Sequence, residues 1–194
     1  MDKKIEEASE ILNKGGIIIF PTDTAFGIGC RIDRADSIEK LFRIRKRPVS
    51  QATPVLVDGL EMAETYAKVA DDVKEKLISP YWPGALTVVC ESYIKKVPEL
   101  VRGGGKNVGV RMPNNKTILS LIRSVGVPVL GPSANFHGEN TPHDFKELNP
   151  DLLRLVDYVL EGVCLYTNPS TVVDVTQNPW KILRQGQVEI KINS

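Results

Sequence analysis

Apolar and polar positions change period several times along the chain, and each change marks an element. Over residues 3 to 14, Ile5, Ala8, Ile11 and Leu12 fall on one face at helical spacing, and Gly15-Gly16 closes that helix. Ile17-Ile-Ile-Phe20 is then an unbroken β-branched and aromatic run, which predicts a buried strand ended by Pro21. A second strand follows through Gly27 and Gly29 to Cys30 or Ile32. A helix is expected from about 36 to 45, capped by Asp33 or Asp36, with Ile38, Leu41, Phe42 and Ile44 inward and Pro48 as its stop. Further strands are predicted near 54–57, 85–90, 108–112, 127–130, 157–160, 171–175 and 180–184. Helices are predicted at 60–67 (capped by Asp58), at 70–78, after Asn114 up to Gly126, and in short pieces near 143–155. Strands and helices alternate without repeats, low-complexity tracts or a linker. The expectation is one α/β domain over 1–194, on a twisted, mixed open sheet with flanking helices.

Composition narrows the classes. Twenty-five basic against 24 acidic side chains leave a net charge of +1, so no global field demands nucleic acid. Cys30, Cys90 and Cys164 lie far apart among apolar residues, which predicts free thiols in a reducing cytoplasm. His137 and His143 show no metal-ligand spacing with them, so no structural metal site is expected. No apolar run approaches the ~18 residues of a membrane span, and the Met-Asp-Lys-Lys start is too polar for a signal peptide.

Three stretches carry candidate chemistry. Thr22, Asp23 and Thr24 sit where a buried strand exits; they either orient a ligand or cap their own turn. Lys40, Arg43, Arg45, Lys46 and Arg47 are phosphate forks or a solvated helix end. Ser133 and Asn135 follow a strand's carboxyl end, where α/β sheets place ligands, or they form a local turn. Neither a Gly-x-x-x-x-Gly-Lys-Ser/Thr loop nor a Gly-x-Gly-x-x-Gly is present. The triple glycine at 103 to 105 reads as an anion nest or as a flexible turn.

Pro21-Thr-Asp-Thr-Ala-Phe-Gly-Ile-Gly29 resembles the opening motif of the YrdC-type threonylcarbamoyl-AMP synthases. Similar matches follow in the family's order: Arg45-Lys-Arg-Pro48, Trp82-Pro-Gly-Ala-Leu-Thr87, Val108-Gly-Val-Arg-Met-Pro113, Pro132-Ser-Ala-Asn135, Ser170-Thr-Val-Val-Asp174 and Ile182-Leu-Arg-Gln-Gly186. The resemblance implies a YrdC-like fold with a concave basic cleft, marked by Arg45, Arg47, Ser133 and Asn135 as the catalytic set. It implies L-threonine held by Thr24, Arg111, the backbone near Gly131 and Ser170. ATP falls to Arg47, Gln51, Asn107, Ser133, Thr141 and Arg184. The implied reaction condenses L-threonine, bicarbonate and ATP to threonylcarbamoyl-AMP and pyrophosphate, for N6-threonylcarbamoyladenosine in transfer RNA. Mg²⁺ would arrive with ATP rather than on a protein site. The chain ends at 194 without the second domain of longer relatives, so a separate transferase would pass the group on.

Some positions depart from the resembled pattern. Phe26 replaces a usual tyrosine, Arg45 a lysine, Gln51 a lysine or asparagine, and Leu56 a histidine of some members. Two other hypotheses therefore stand beside the synthase. One is a paralogue with a different acceptor. The other is an RNA-binding module that meets transfer RNA or double-stranded RNA through the basic cluster, Arg102, Arg111 and Arg184.

Overall fold

The expected strand at 17–20 forms as β1 (Ile18–Pro21) in the computed structural model, which describes residues 2–191. The two ends of the expected 1–194 domain, residue 1 and residues 192–194, lie outside the described residues. Side chains of β1 alternate between two clusters. Ile19 joins the larger core, while Ile18 and Phe20 join a second one. A strand buried on both faces explains the uninterrupted apolar run. Pro21 is the last residue of β1 rather than its stop, and pairs with Phe26, where a missing N–H costs least.

β1 pairs antiparallel with β2 (Phe26–Gly29) and parallel with β7 (Tyr158–Val159). Six further strands are β3 (Val55–Leu56), β4 (Leu86–Glu91), β5 (Asn107–Arg111), β6 (Val129–Leu130), β8 (Thr171–Asp174) and β9 (Lys181–Arg184). They form a row in the order β6-β3-β5-β4-β8-β9. The two rows meet along β2 and the chain around β6. Isolated bridges pair Gly27 with Ser133 and Arg31 with Val129. Leu130 N donates to the Cys30 carbonyl at 2.9 Å, and Ala134 N to that of Phe26 at 2.8 Å. The seam closes because position 29 is glycine: a Cβ there would lie 1.8 Å from the Leu130 carbonyl oxygen. The strands thus make one twisted, mixed band with helices against it, as the alternating pattern predicts.

Helices Lys3–Asn13 and Lys116–Val125 cover one face, with Ile5, Ala8 and Leu12 meeting Ile118, Leu121 and Ile122 over Ile18 and Phe20. Each fully buried aliphatic side chain contributes about 1.5–3 kcal/mol. Asp2 caps the first helix through Lys4 N at 3.0 Å. The second is capped by Asn115, one residue beyond the expected Asn114, and ends at Gly126 in the left-handed region (φ 71°).

Several expected caps do other work. The helix Ala35–Ile44 has Arg34 at its N-cap without a side-chain bond, because Asp33 is held by Arg31 at 2.8 and 2.9 Å. Asp58 does not cap Leu60–Tyr66; its carboxylate lies 3.7 Å from Arg123 Nε. The helix expected at 70–78 continues to Tyr81, through a π-helical turn at Lys74–Ile78.

Candidate active site

Strand ends from both rows converge on a cavity of about 200 Å³. Its walls include Thr24, Arg45, Arg47, Arg111, Gly131, Ser133, Thr141, Ser170 and Arg184. Nine sequence-predicted site residues, drawn from positions 24 to 184, are therefore brought together. Phe26 and Leu56 supply apolar wall, both fully buried. A second cavity of about 460 Å³ adjoins it, sharing Pro54, Thr87, Ser170 and Arg184, and carries Asn107 on its wall.

The basic cluster divides: Arg43 and Lys46 are exposed at the helix end while Arg45 and Arg47 line the cavity, and Pro48 does not stop the helix. The Ala35–Ile44 helix closes at Lys46, whose φ is 52°. Lys46 N donates to the Arg43 carbonyl at 3.0 Å and Arg47 N to that of Phe42 at 2.9 Å, the bond pair of a Schellman turn. This reversal sends Arg45 and Arg47 to the cavity. Lys46 stays exposed, 4.9 Å over the Phe136 ring, and Lys40 bonds Asp157 at 3.0 Å.

Arg45 is only 3% exposed. Its Nε donates to the Asn135 carbonyl at 3.0 Å and Nη2 to Asn135 Oδ1 at 3.1 Å, while Nη1 is buried without a partner among the described residues. Burial, with the Arg47 charge adding to it, lowers its pKa to about 10, so it remains a cation at neutral pH. Asn135 stands behind the wall rather than in it. Its Oδ1 also accepts from Ser133 Oγ at 2.7 Å, and its Nδ2 donates to the Glu139 carbonyl at 2.6 Å. It is a strut for Arg45 and Ser133. Arg47 donates to the backbone carbonyls of Gln51 (3.2 Å) and Ala52, which ties the following loop to the cavity rim. Gln51 itself is exposed and outside both cavity walls.

On the opposite wall Arg111, at the end of β5, is 6% exposed. Nε donates to the Gly84 carbonyl at 3.0 Å, Nη1 to Thr24 Oγ1 at 2.8 Å, and Nη2 to Asp23 Oδ1 at 2.5 Å. Burial lowers its pKa and the Asp23 carboxylate opposes that shift. The sequence marked Asp23 as a small polar residue at a strand exit but gave no sign of this pairing. Thr22 is absorbed locally, donating to the Ala25 carbonyl at 2.7 Å.

Ser170 Oγ lies 3.0 Å from Thr87 Oγ1 and accepts from Arg184 Nη2 at 3.1 Å. Arg184 Nε also donates to the Ser170 carbonyl at 2.9 Å. Burial lowers the pKa values of Arg47 and Arg184 as well. Asn107 Nδ2 donates to Thr176 Oγ1 at 3.2 Å, out in the second cavity. The triple glycine is no anion nest: the N–H groups of Gly103, Gly104 and Gly105 donate to the Leu100, Glu99 and Arg102 carbonyls. His143, which sequence reasoning weighed only as a metal ligand, places Nδ1 2.7 Å from the Thr24 carbonyl. That contact makes Nδ1 the protonated nitrogen and pins the Thr141 segment over the motif.

Four partly desolvated guanidinium groups around one small cavity, with hydroxyls between them, suit a ligand bearing several anionic groups. Among the described residues no Asp or Glu lines the cavity, and no cluster of three or more His, Cys, Asp or Glu could hold a metal ion. No helix among them is long and apolar enough to cross a membrane.

Known proteins match nearly the whole chain. Escherichia coli YciO, an uncharacterized protein, is 32% identical over 96% of this chain and 91% of its own length. A putative threonylcarbamoyl-AMP synthase of Methanocaldococcus jannaschii is 32% identical over 97% of this chain and 89% of its own length. The crystal structure of P. abyssi Sua5 complexed with L-threonine matches with a TM-score of 0.89 at 30% identity, over 94% of this chain. The match takes in 54% of Sua5, so the chain spans about half the length of that protein. The model of the Sua5/YciO/YrdC family, described as telomere recombination, matches residues 10–186, and the chain belongs to that family.

Proposed function

We propose that the protein is a threonylcarbamoyl-AMP synthase, condensing L-threonine, bicarbonate and ATP with release of pyrophosphate. The observation that carries this is the ring of Arg45, Arg47, Arg111 and Arg184 around one cavity, in a fold that matches a Sua5 solved with L-threonine. Three of the five Arg111 N–H groups are engaged, leaving two to meet an amino-acid carboxylate. The hydroxyls of Thr24 and Ser170 orient the rest of the amino acid. Bicarbonate and the threonine amine form a carbamate with loss of water, and a carbamate oxygen attacks the α-phosphorus while the bond to pyrophosphate breaks. Arg45, Arg47 and Ser133 stabilise the charge that grows on the phosphates. Adenosine is assigned to the adjoining cavity, whose wall includes Val89, Gly109, Val172 and Asn107.

Mg²⁺ is assigned to the ATP phosphates, because the cavity lining offers cations and hydroxyls rather than carboxylates. Its chemistry there is neutralisation of the leaving group. The product is a mixed anhydride, so a separate transferase must consume it, and transfer RNA is the acceptor the resemblance implies. Three free cysteines, two of them buried, suit a reducing cytoplasm.

A second reading is a paralogue with a different acceptor. The apolar wall of Leu56 and Phe26 supports it, where some members of the resembled family carry histidine and most carry tyrosine. Pyrophosphate release with ATP, Mg²⁺ and bicarbonate, run against a panel of amino acids, decides between them. Threonine-dependent release is expected. Preference for another amino acid favours the paralogue, and no release with any amino acid refutes the synthase.

A further inference from the structure

We propose that Asp23 is a positioning residue for the amino-acid carboxylate, acting through Arg111; this rests on the synthase reading. Asp23 is fully buried, and Oδ1 accepts from Arg111 Nη2 at 2.5 Å. Its backbone is fixed as well: the Asp23 carbonyl accepts from both Leu165 N and Tyr166 N at 2.9 Å. Thr24 and Gly84 take two more guanidinium N–H groups from other directions. Three anchors hold the guanidinium plane, two of its N–H groups are left over, and Arg111 is part of the cavity wall.

Asp23 Oδ2 is buried without a hydrogen-bond partner among the described residues. A carboxylate in that state is a poor stabilising device, since a buried ion pair is often no better than apolar packing. Its value lies in holding Arg111 in a fixed pose and offsetting its charge before an anionic ligand arrives. A carboxylate that enters then meets an arginine already aimed, and the ordering entropy has been met at folding.

The test is calorimetric binding of L-threonine, and separately of ATP, to the full chain and to Asp23→Asn, Arg111→Gln and the double variant. Asp23→Asn keeps the shape and one acceptor but removes the charge. It is expected to weaken threonine binding about 10- to 100-fold, the scale of one charge-assisted hydrogen bond, and to leave ATP binding within about twofold. In the Arg111→Gln background the same change is expected to cost nothing further. Unchanged threonine affinity in Asp23→Asn, an equal loss for ATP, or an equal loss in both backgrounds overturns the proposal. If Asp23→Asn does not fold, Asp23→Glu replaces it: the longer arm displaces the guanidinium, so retained threonine affinity overturns the proposal. An unmodified chain that binds no threonine instead overturns the synthase reading, and this inference with it.

Discussion

Replacing Arg45 by methionine should remove activity while leaving the fold nearly as stable. The lowered pKa of Arg45 reflects mainly the cost of burying it, with the Arg47 charge adding to that cost. A fall from the ordinary guanidinium value to about 10 corresponds to roughly 3 kcal/mol at neutral pH. Against this, Arg45 makes two charge-assisted hydrogen bonds to Asn135, worth about 1.5 kcal/mol each at the low end of the range for a charged donor. The substitution deprives the Asn135 carbonyl of its donor, but Oδ1 keeps the bond from Ser133 Oγ. Methionine fills much of the volume with a flexible apolar chain. The terms nearly cancel, so the melting temperature is expected to move by less than about 4 °C in either direction. Threonine-dependent pyrophosphate release should fall by about 10²-fold or more, the usual scale for one preorganised donor at developing charge. Calorimetric melting and a coupled pyrophosphate assay on the same preparation read both quantities. A loss of more than about 10 °C would show that Arg45 is a structural cation and refute the reasoning.

Lys46→Gly should raise stability by about 0.5–1 kcal/mol, by relieving a side chain at positive φ, and leave turnover unchanged; a lower melting temperature would contradict the Schellman assignment. Gly29→Ala, which sets a Cβ against the Leu130 carbonyl, should cost about 3 kcal/mol or more, whereas Gly104→Ala, with open space around it but φ at 79°, should cost about 1; equal losses in denaturant titrations would deny the seam its tightness. Burial pushes Cys30 and Cys90 up to about 12 from 9.0, so the unfolded chain loses its thiol protons first. Their contribution to stability is intact below pH 9 and is lost as pH rises towards 12, by up to about 1.4 kcal/mol per pH unit for each thiol; a Cys30→Ala/Cys90→Ala variant with an equally steep decline would remove that explanation.

Much of this was legible in the sequence because the signals are local. Ile17-Ile-Ile-Phe20 announced a strand buried on both faces, and the helix before Gly126 announced its own stop. The cavity was legible only through motif resemblance, since its residues come from positions 22 to 184 and no periodicity links them. Two features leave no local mark. Pro48 reads as the helix stop, because a left-handed lysine has no signature in composition, yet Lys46 performs the turn. An amide after a strand end reads as a ligand contact or a local turn, and its bond to Arg45, 90 residues away, is invisible in the sequence. The Asp23–Arg111 pair, separated by 88 residues, had no local trace.

The seam between the two rows of strands has a thermodynamic consequence. Thr24 and Phe26 approach the cavity from the three-stranded side, Ser133 sits on the bridge, and Arg111, Ser170 and Arg184 come from the six-stranded side. A substrate held by both groups adds a side-chain cross-link to the backbone ladder that joins residues 26–32 to 128–134. Occupancy at about a hundred times Kd adds roughly 2.7 kcal/mol to the folded state. That gain should be felt first by amides at the junction, such as those of Leu130 and Ala134, whose exchange with solvent would slow on saturation before that of the central strands. Fuel for the reaction and glue for the fold would then be the same molecules.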